Sequence, residues 1–318
     1  LLLSVEALHI PDGFLSVLIA ALMWIVSIPV VMYSLRRVGQ NLDERGLPLI
    51  GVLAAGIFAG QMLNFAVAGG TSGHLMGAAL ATILVGPWAG ILIMTSVVTI
   101  QALIFQDGGL LALGANIFNM GIIGVTVSYM AYRTGIRFAG DSKRGILIAG
   151  FSAAWISVFV VSLSVGIQLA LSGTSPAYLA IPAMASVHAL IGIGEGLITV
   201  GALSFLLSAR PGLLQPQVGQ LGKDRVVWLV GMLISLGLVI LSPLASTRPD
   251  GLEWVAIEHG FINQARASLF QIFPGYKLPG FAAGSAATIA AGVLGVVMVL
   301  LVAAAVMYSR RQRQISGK

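Results

Sequence analysis

The sequence predicts an all-α, polytopic transmembrane helical bundle, with about seven spans followed by a two-span C-terminal hairpin. Three observations predict it. Of 318 residues, 58% are hydrophobic and 9% charged. A soluble domain carries about 25% charged residues, so this chain has too few charges to cover a water-facing surface. The apolar runs are continuous over about 20 residues, the length of a membrane helix, whereas a barrel strand alternates over about 10. Finally, the lysines and arginines gather on one side of the helices that those runs define.

The runs read as spans at roughly 14–35, 47–68, 75–86, 88–105, 115–132, 145–171, 178–208, 226–246 and 282–308. Arg36, Arg37 and Arg45 separate the first two. The third is short: twelve helical residues rise only about 18 Å against an apolar thickness of roughly 30 Å. Gly86-Pro87-Trp88 divides it from the fourth. Residues 75–105 are therefore either a short sheltered helix plus a full one, or one broken element. Arg133, Arg137, Lys143 and Arg144 lie between the fifth and sixth spans, and Arg210, Lys223 and Arg225 between the seventh and eighth. Arg310, Arg311, Arg313 and Lys318 follow the ninth. With 75–105 counted as two crossings, all of these share one face. Of the 17 basic residues, only Arg248, Arg266 and Lys277 remain on the other. The rich face is expected to be cytoplasmic. The N-terminus, loops 69–74, 106–114 and 172–177, and segment 247–281 then lie outside, and the C-terminus inside.

A Pro-, Gly-, Gln- and Leu-bearing linker, residues 211–225, divides the chain. Residues 8–210 form the main membrane unit. Residues 226–318 form a hairpin around the outer segment 247–281, too small for its own core and expected to pack on the first unit. The absence of cysteine excludes disulfides, thiolate metal sites and redox dithiols. The net charge of +6 reports sidedness and does not call for nucleic acid. The sequence has no Walker loop, no usable Ser-His-Asp spacing and no paired acids on one face, so nucleotide hydrolysis is not expected in this chain.

Two histidines share the outer face. His9 lies in Leu8-His9-Ile10-Pro11-Asp12-Gly13, and His74 closes Gly69-Gly70-Thr71-Ser72-Gly73-His74. Imidazole suits nickel, copper, cobalt and zinc. If Leu8 is the first residue, its amine, the deprotonated His9 amide and His9 Nδ1 form fused chelate rings, and His74 adds a fourth in-plane nitrogen. Taken alone, each histidine also fits an ordinary loop, and the glycines fit a plain turn. Thr71 and Ser72 could orient a ligand by hydrogen bonds. Gln61, Asn64, Gln101, Asn116 and Asn119 cluster at the outer ends of their spans, where buried polar groups need partners. They fit either a shell orienting the histidines or helix-to-helix hydrogen bonding. His188 and Glu195 lie two turns apart on one face of the seventh span. His188 is a candidate for the outer half of the bundle or an interhelical tie, and Glu195 for packing or coupling. His259 reads as solvated.

At these residues the chain resembles the substrate-binding membrane component of cobalt/nickel energy-coupling-factor transporters, the CbiM/NikM family. The matching pieces are His9-Ile10-Pro11-Asp12-Gly13-Phe14-Leu15-Ser16, Gly69-Gly70-Thr71-Ser72-Gly73-His74, Asp107-Gly108-Gly109 with Ala112-Leu113-Gly114-Ala115-Asn116, Phe118-Asn119-Met120 and Gly194-Glu195-Gly196. The resemblance implies a metal held by a terminal amine, the adjacent histidine's amide and imidazole, and the glycine-loop histidine, which map onto Leu8, His9 and His74. It implies bound Ni(II) or Co(II) as cargo and no resident cofactor. It also implies a transmembrane coupling protein and a pair of cytoplasmic ATPases as partners. The hairpin is similar to the family's two-span accessory subunit, with Pro249-Asp250-Gly251-Leu252-Glu253 opening its outer segment. With one histidine and no cysteine there, the hairpin is expected to assist loading or release without binding the metal tightly itself.

The family begins with Met directly before the first histidine, and here Leu1–Ala7 precede Leu8. They displace the amine by up to about 24 Å of extended chain and offer no His or Cys in its place. The working start is therefore expected at Leu8, read as Met from an alternative start codon. The rival readings are a stand-alone secondary carrier, which normally shows mid-membrane acids and here has only Glu195, and a membrane metalloenzyme.

Overall fold

Backbone amides in an apolar run find no water in a bilayer, so they pair along the chain and the run folds as helix. The computed structural model describes residues 9–41, 47–209, 225–268, 270–278 and 284–316. The N-terminal extension, Leu8 and nearly all of the linker lie outside the described residues. The main unit comprises α1 (Val17–Asn41), α2 (Leu47–Gln61), β1 (Phe65–Ala66), β2 (Ser72–Gly73), α3 (Ala78–Ile100), α4 (Leu113–Asn116), α5 (Gly124–Ala139), α6 (Lys143–Leu171) and α7 (Ala177–Ala209). The hairpin comprises α8 (Arg225–Leu241), the short α9 (Gly251–Glu258) and α10 (Ser285–Ser316). Among the described residues, six helices are long and apolar enough to cross a membrane, and two shorter apolar ones span Leu49–Gln61 and Trp228–Leu244. The protein is an all-α polytopic membrane protein, as its hydropathy requires. Val17, Leu18, Ile25, Leu197, Leu233 and Leu301 point outward and exposed, a belt suited to lipid and costly in water.

Helices overrun their apolar limits at the basic ends. α1 continues past Arg36 and Arg37, and α5 past Arg133 and Arg137. Arg37 lies over the Tyr33 ring and Arg133 over Tyr129, so long charged side chains reach outward from an apolar stem.

The second span is shorter than its apolar run. The helix stops at Gln61, and β1 pairs antiparallel with β2, Phe65 opposite Gly73. Hydropathy alone does not separate an apolar helix from an apolar strand. This small hairpin folds the loop 69–74 back into the protein.

Residues 75–105 form one broken element with two arms. Gly86 adopts φ 80 and ψ 171 ahead of Pro87, outside helical space and in a region open to glycine. A Cβ added at Gly90 would lie 3.5 Å from the Thr82 nitrogen, whereas an unbroken helix between them would rise about 12 Å. The chain therefore doubles back at Gly86-Pro87. The short arm is sheltered, with Ala78, Ala79, Leu80, Ala81 and Thr82 all buried.

α8 and α10 pack on α2, burying Val239, Val296 and Val299 with Ala54, Ala55 and Phe58. The segment between α8 and α10 crosses the end of the main unit that carries Asn64, Ile104 and Asp12. Ser246 N–H donates to the Asn64 carbonyl (2.8 Å), Arg266 N–H to Asp12 (2.7 Å) and Phe273 N–H to Ile104 (2.9 Å).

Candidate metal centre

His9 precedes α1 and is held by backbone pairing rather than by helix. The Asn116 amide clamps its neighbour from both sides: Oδ1 accepts from Ile10 N–H (3.0 Å) and Nδ2 donates to the Ile10 carbonyl (3.1 Å). Gly109 N–H donates to the same carbonyl (2.9 Å). The Asp12 carboxylate accepts from Leu110 N–H (3.1 Å) and Ala112 N–H (3.0 Å). The 106–112 turn and the His9–Asp12 segment therefore brace each other. Gly108, at φ +103, sits between them, and a Cβ there would come within 3.0 Å of both Asn116 Nδ2 and His9 Cβ.

His74 is placed by two different side chains. Gln61 Nε2 donates to the Met76 carbonyl (2.9 Å). Glu195, fully buried in α7, accepts from Met76 N–H (2.7 Å) and Gly77 N–H (2.9 Å). These bonds anchor the chain two and three residues after His74 to α2 and α7.

The two imidazoles meet, with ring centroids 5.8 Å apart. A metal–nitrogen bond is about 2 Å and the ring centre lies roughly 1 Å further, so two rings sharing a cation have centres within about 6.3 Å. His9 is 3% exposed. Its Nδ1–H donates to Asp107 Oδ1 (2.9 Å), and its Nε2 is buried with no hydrogen-bond partner among the described residues. His74 Nδ1–H donates to the Leu75 carbonyl (3.1 Å). A histidine that donates one ring N–H to a carboxylate or carbonyl presents the lone pair of the other nitrogen, the usual support for a metal ligand. In the neutral form of either ring, the lone pair then falls on Nε2. His9 Nδ1, the ring atom of the expected fused chelate, lies against Asp107 Oδ1 in this metal-free arrangement.

Both histidines line a cavity of ≈ 90 Å³ together with Met76, Asn119, His188 and Asp250. His188 presents a third ring in the same tautomer, its Nδ1–H on the Met184 carbonyl (2.8 Å). No three His, Cys, Asp or Glu among the described residues converge into a group able to hold a metal, so His188 stands apart from the pair. Asn119 bonds Ser164 and Gln168 of α6 (2.7 to 3.0 Å) and lies on a π-helical turn, Ile117–Ile123. Gln101 opens another, Gln101–Phe105. Such turns often mark functional sites.

The remaining sequence-predicted residues face the hairpin. Ser72 Oγ donates to the Arg248 carbonyl (2.8 Å) and Thr71 Oγ1 approaches that of Pro249 (3.2 Å). The Asn64 carbonyl takes Ser246 N–H (2.8 Å). Gln101 Nε2 donates to the Tyr276 hydroxyl (3.1 Å). Leu8 lies outside the described residues.

Sequence reasoning missed three groups. Asp107 was visible only as part of a motif. Asp250 caps α9 by accepting from Glu253 N–H (2.7 Å) and lines the metal cavity. Tyr276 donates to Asp107 Oδ2 (2.6 Å). Burial raises the Asp107 carboxyl, but the charge and hydrogen bond of His9 and the Tyr276 hydroxyl outweigh it and leave Asp107 below the usual carboxylate value. Burial pushes Asp250 up to about 7. A divalent cation placed here would meet one buried carboxylate behind His9 and a second on the cavity wall.

The family model described as "Cobalt uptake substrate-specific transmembrane region" matches residues 9–213, and one described as "PDGLE domain" matches residues 225–312. A putative fused nickel transport protein NikMN of Archaeoglobus fulgidus is 40% identical, covering 92% of this chain and 96% of that relative. A fused nickel transport protein NikMN of Rhodobacter capsulatus is 32% identical, covering 74% of this chain and 72% of that one. A crystal structure of a truncated transition metal transporter, 33% identical, superposes with a TM-score of 0.56, covering 63% of this chain and 99% of that one.

Proposed function

The chain belongs to the cobalt-uptake substrate-specific transmembrane family of metal-transport proteins, and from that premise we propose that it captures Ni(II) or Co(II) between His9 and His74 at the outer face. One observation carries this reading. Two loops far apart in sequence place two imidazoles on one buried cavity, and each donates its Nδ1–H elsewhere. Nitrogen ligands suit both metals. The proposed ligand residues are His9 and His74. The amine of Leu8 is a proposed third donor, tested by comparing a chain begun at Leu8 with the chain carrying Leu1–Ala7. Tighter Ni(II) binding by the shorter chain supports it, and equal binding removes it.

Capture is proposed to take place outside, with the basic loops and the C-terminus in the cytoplasm. Movement across the membrane is assigned to partners, a transmembrane coupling protein and a pair of ATPases, because this sequence has no nucleotide-binding motif. The chain is read as a transport component and not an enzyme. Calorimetry on the full chain should find tight 1:1 binding of Ni(II) or Co(II). Metal uptake in cells should require the ATPases. Sustained uptake by the chain alone would favour the secondary carrier, and absence of binding would remove the proposal.

A further inference from the structure

We propose that the groove between α2, the short arm of α3, α7 and α8 binds an anionic phospholipid, one acyl chain of which fills it.

The hollow measures ≈ 640 Å³, and every residue on its wall is apolar. α7 presents Ile198, Gly201, Ala202, Phe205, Leu206 and Ala209 to it, the spacing of one helix face. Residues 49–57 of α2 and 230–238 of α8 supply two further walls. Water finds no polar partner there. A void of that size left empty would forfeit the dispersion contacts of its whole lining. The groove also opens to the bilayer, since Ile198 is 40%, Phe205 48% and Ile234 44% exposed.

Dimensions select the occupant. The α7 wall, residues 198–209, rises about 16 Å. That is close to half of the roughly 30 Å apolar thickness, the depth of one leaflet. A helix about 10 Å across would need about twice the volume of the hollow over that length. An acyl chain is one methylene wide and bends at each bond, so it fits.

Charge selects the headgroup. α2 begins at Leu47, α7 ends at Ala209 and α8 begins at Arg225, so the groove lies toward the end closed by segments 36–46 and 210–225. In sequence these carry Arg36, Arg37, Arg45, Arg210, Lys223 and Arg225 against Asp43, Glu44 and Asp224. The positive balance favours an anionic lipid over a zwitterionic one.

The groove is continuous with the seat of the hairpin. α8 packs on α2, and α7 packs on α6. A Cβ added at Gly231 would strike Val52, whereas one added at Gly201 meets nothing within 4 Å. The α2–α8 wall is therefore closed and α7 stands off from it, so a chain laid between them ties the hairpin to the main unit. Leu75, the residue after His74, lies on the same wall, and the occupant thus backs the loop that carries this histidine.

Native mass spectrometry of the purified full chain tests this, after incubation with phosphatidylglycerol or phosphatidylcholine. One phosphatidylglycerol should stay on each chain, in clear excess over phosphatidylcholine. Gly201→Trp puts a ring into the open space, and tryptophan suits a helix better than glycine, so the bundle should fold. Overfilling the groove should lower retention about tenfold or more, while Gly201→Ala should retain lipid as wild type does. In nanodiscs, phosphatidylglycerol with a diazirine at the end of one acyl chain should label the α7 and α8 walls above the outward belt of Val17, Leu18 and Ile25. If thermal unfolding shows Gly201→Trp to be misfolded, Ala209→Trp, exposed at the end of the same wall, takes its place. Absence of retained lipid, equal retention of the two lipids, or retention undiminished in a folded tryptophan variant overturns the inference. Label no stronger in the groove than on the belt also overturns it, and leaves the groove to linker 211–224 or to a helix of another protein.

Discussion

His74→Ala is expected to abolish high-affinity Ni(II) and Co(II) binding while leaving the helical bundle folded. Structural metal sites with four ligands reach apparent binding free energies of about 10–16 kcal/mol. One ligand's share is about 3 kcal/mol, a loss of roughly 10²-fold. The loss here should be at least that large, because the described site offers two imidazoles and no third His, Cys, Asp or Glu within a ligating group. Folding should survive. His74 lies in the loop after β2, and the chain beyond it is anchored by Gln61 and Glu195 through backbone atoms that the substitution keeps. Calorimetry and thermal unfolding of the two purified proteins check both halves. Unchanged affinity would end the proposed site. Lost affinity with a large fall in melting temperature would mean that the loop had collapsed, and His74→Gln, close in size, would then be the variant to measure.

The fold was largely legible because a bilayer asks one question of every residue. Runs such as 145–171 answered it without ambiguity, and α6 follows them closely. The run 47–68 answered it too, but seven of its residues leave the helix after Gln61. Phe65 and Val67 are half-buried and Ala66 and Ala68 exposed in a small hairpin, and apolarity does not reveal backbone shape. The break at Gly86-Pro87 was visible as a glycine and a proline together. Its consequence, a sheltered half-length arm, depended on neighbours the sequence does not place.

The two histidines were legible because imidazoles are rare in apolar sequence and each sat beside glycines on one face. The rest of the site was not. Asp107 and Tyr276 are 169 residues apart and meet through one hydroxyl. Nothing in the sequence near Tyr276 marks that phenol among the polar and aromatic residues of the outer segment. Thr71 and Ser72 looked suited to orient a ligand, and their hydroxyls go to the carbonyls of Pro249 and Arg248. Hydroxyl groups in a loop announce hydrogen bonds but not their partners. The same contacts bring Asp250 and Gly251 to the cavity wall, so the segment between α8 and α10 forms part of that wall, which its low count of ligands had hidden.

Glu195→Ala should destabilise the protein more than any single change on the cavity wall, and should weaken metal binding without touching a ligand. The Glu195 carboxyl lies within α7 and is fully buried. Its two oxygens accept from two successive amides, Met76 and Gly77, at 2.7 and 2.9 Å. These amides stand where the loop passes into the short arm of α3, and Gly77 at φ 82 precedes the first helical residue. They are orphan donors at a helix start, which need an acceptor from outside the helix. Alanine leaves both buried without one. Each unsatisfied buried amide costs about 1–3 kcal/mol, so the pair costs roughly 2–6 kcal/mol before any cavity is counted. Glu195→Gln keeps one carbonyl oxygen but points an amide N–H at the second donor, and should lie between wild type and alanine. His74 is two residues upstream of Met76, so a loosened loop shifts one of the two imidazoles. Thermal unfolding in detergent, with and without Ni(II), reads both effects. The melting temperature should fall in the order wild type, Gln, Ala, and the metal-induced rise should shrink in the same order. If Glu195→Ala unfolds at the wild-type temperature, the carboxyl does not hold the loop, and the account of how His74 is placed fails with it.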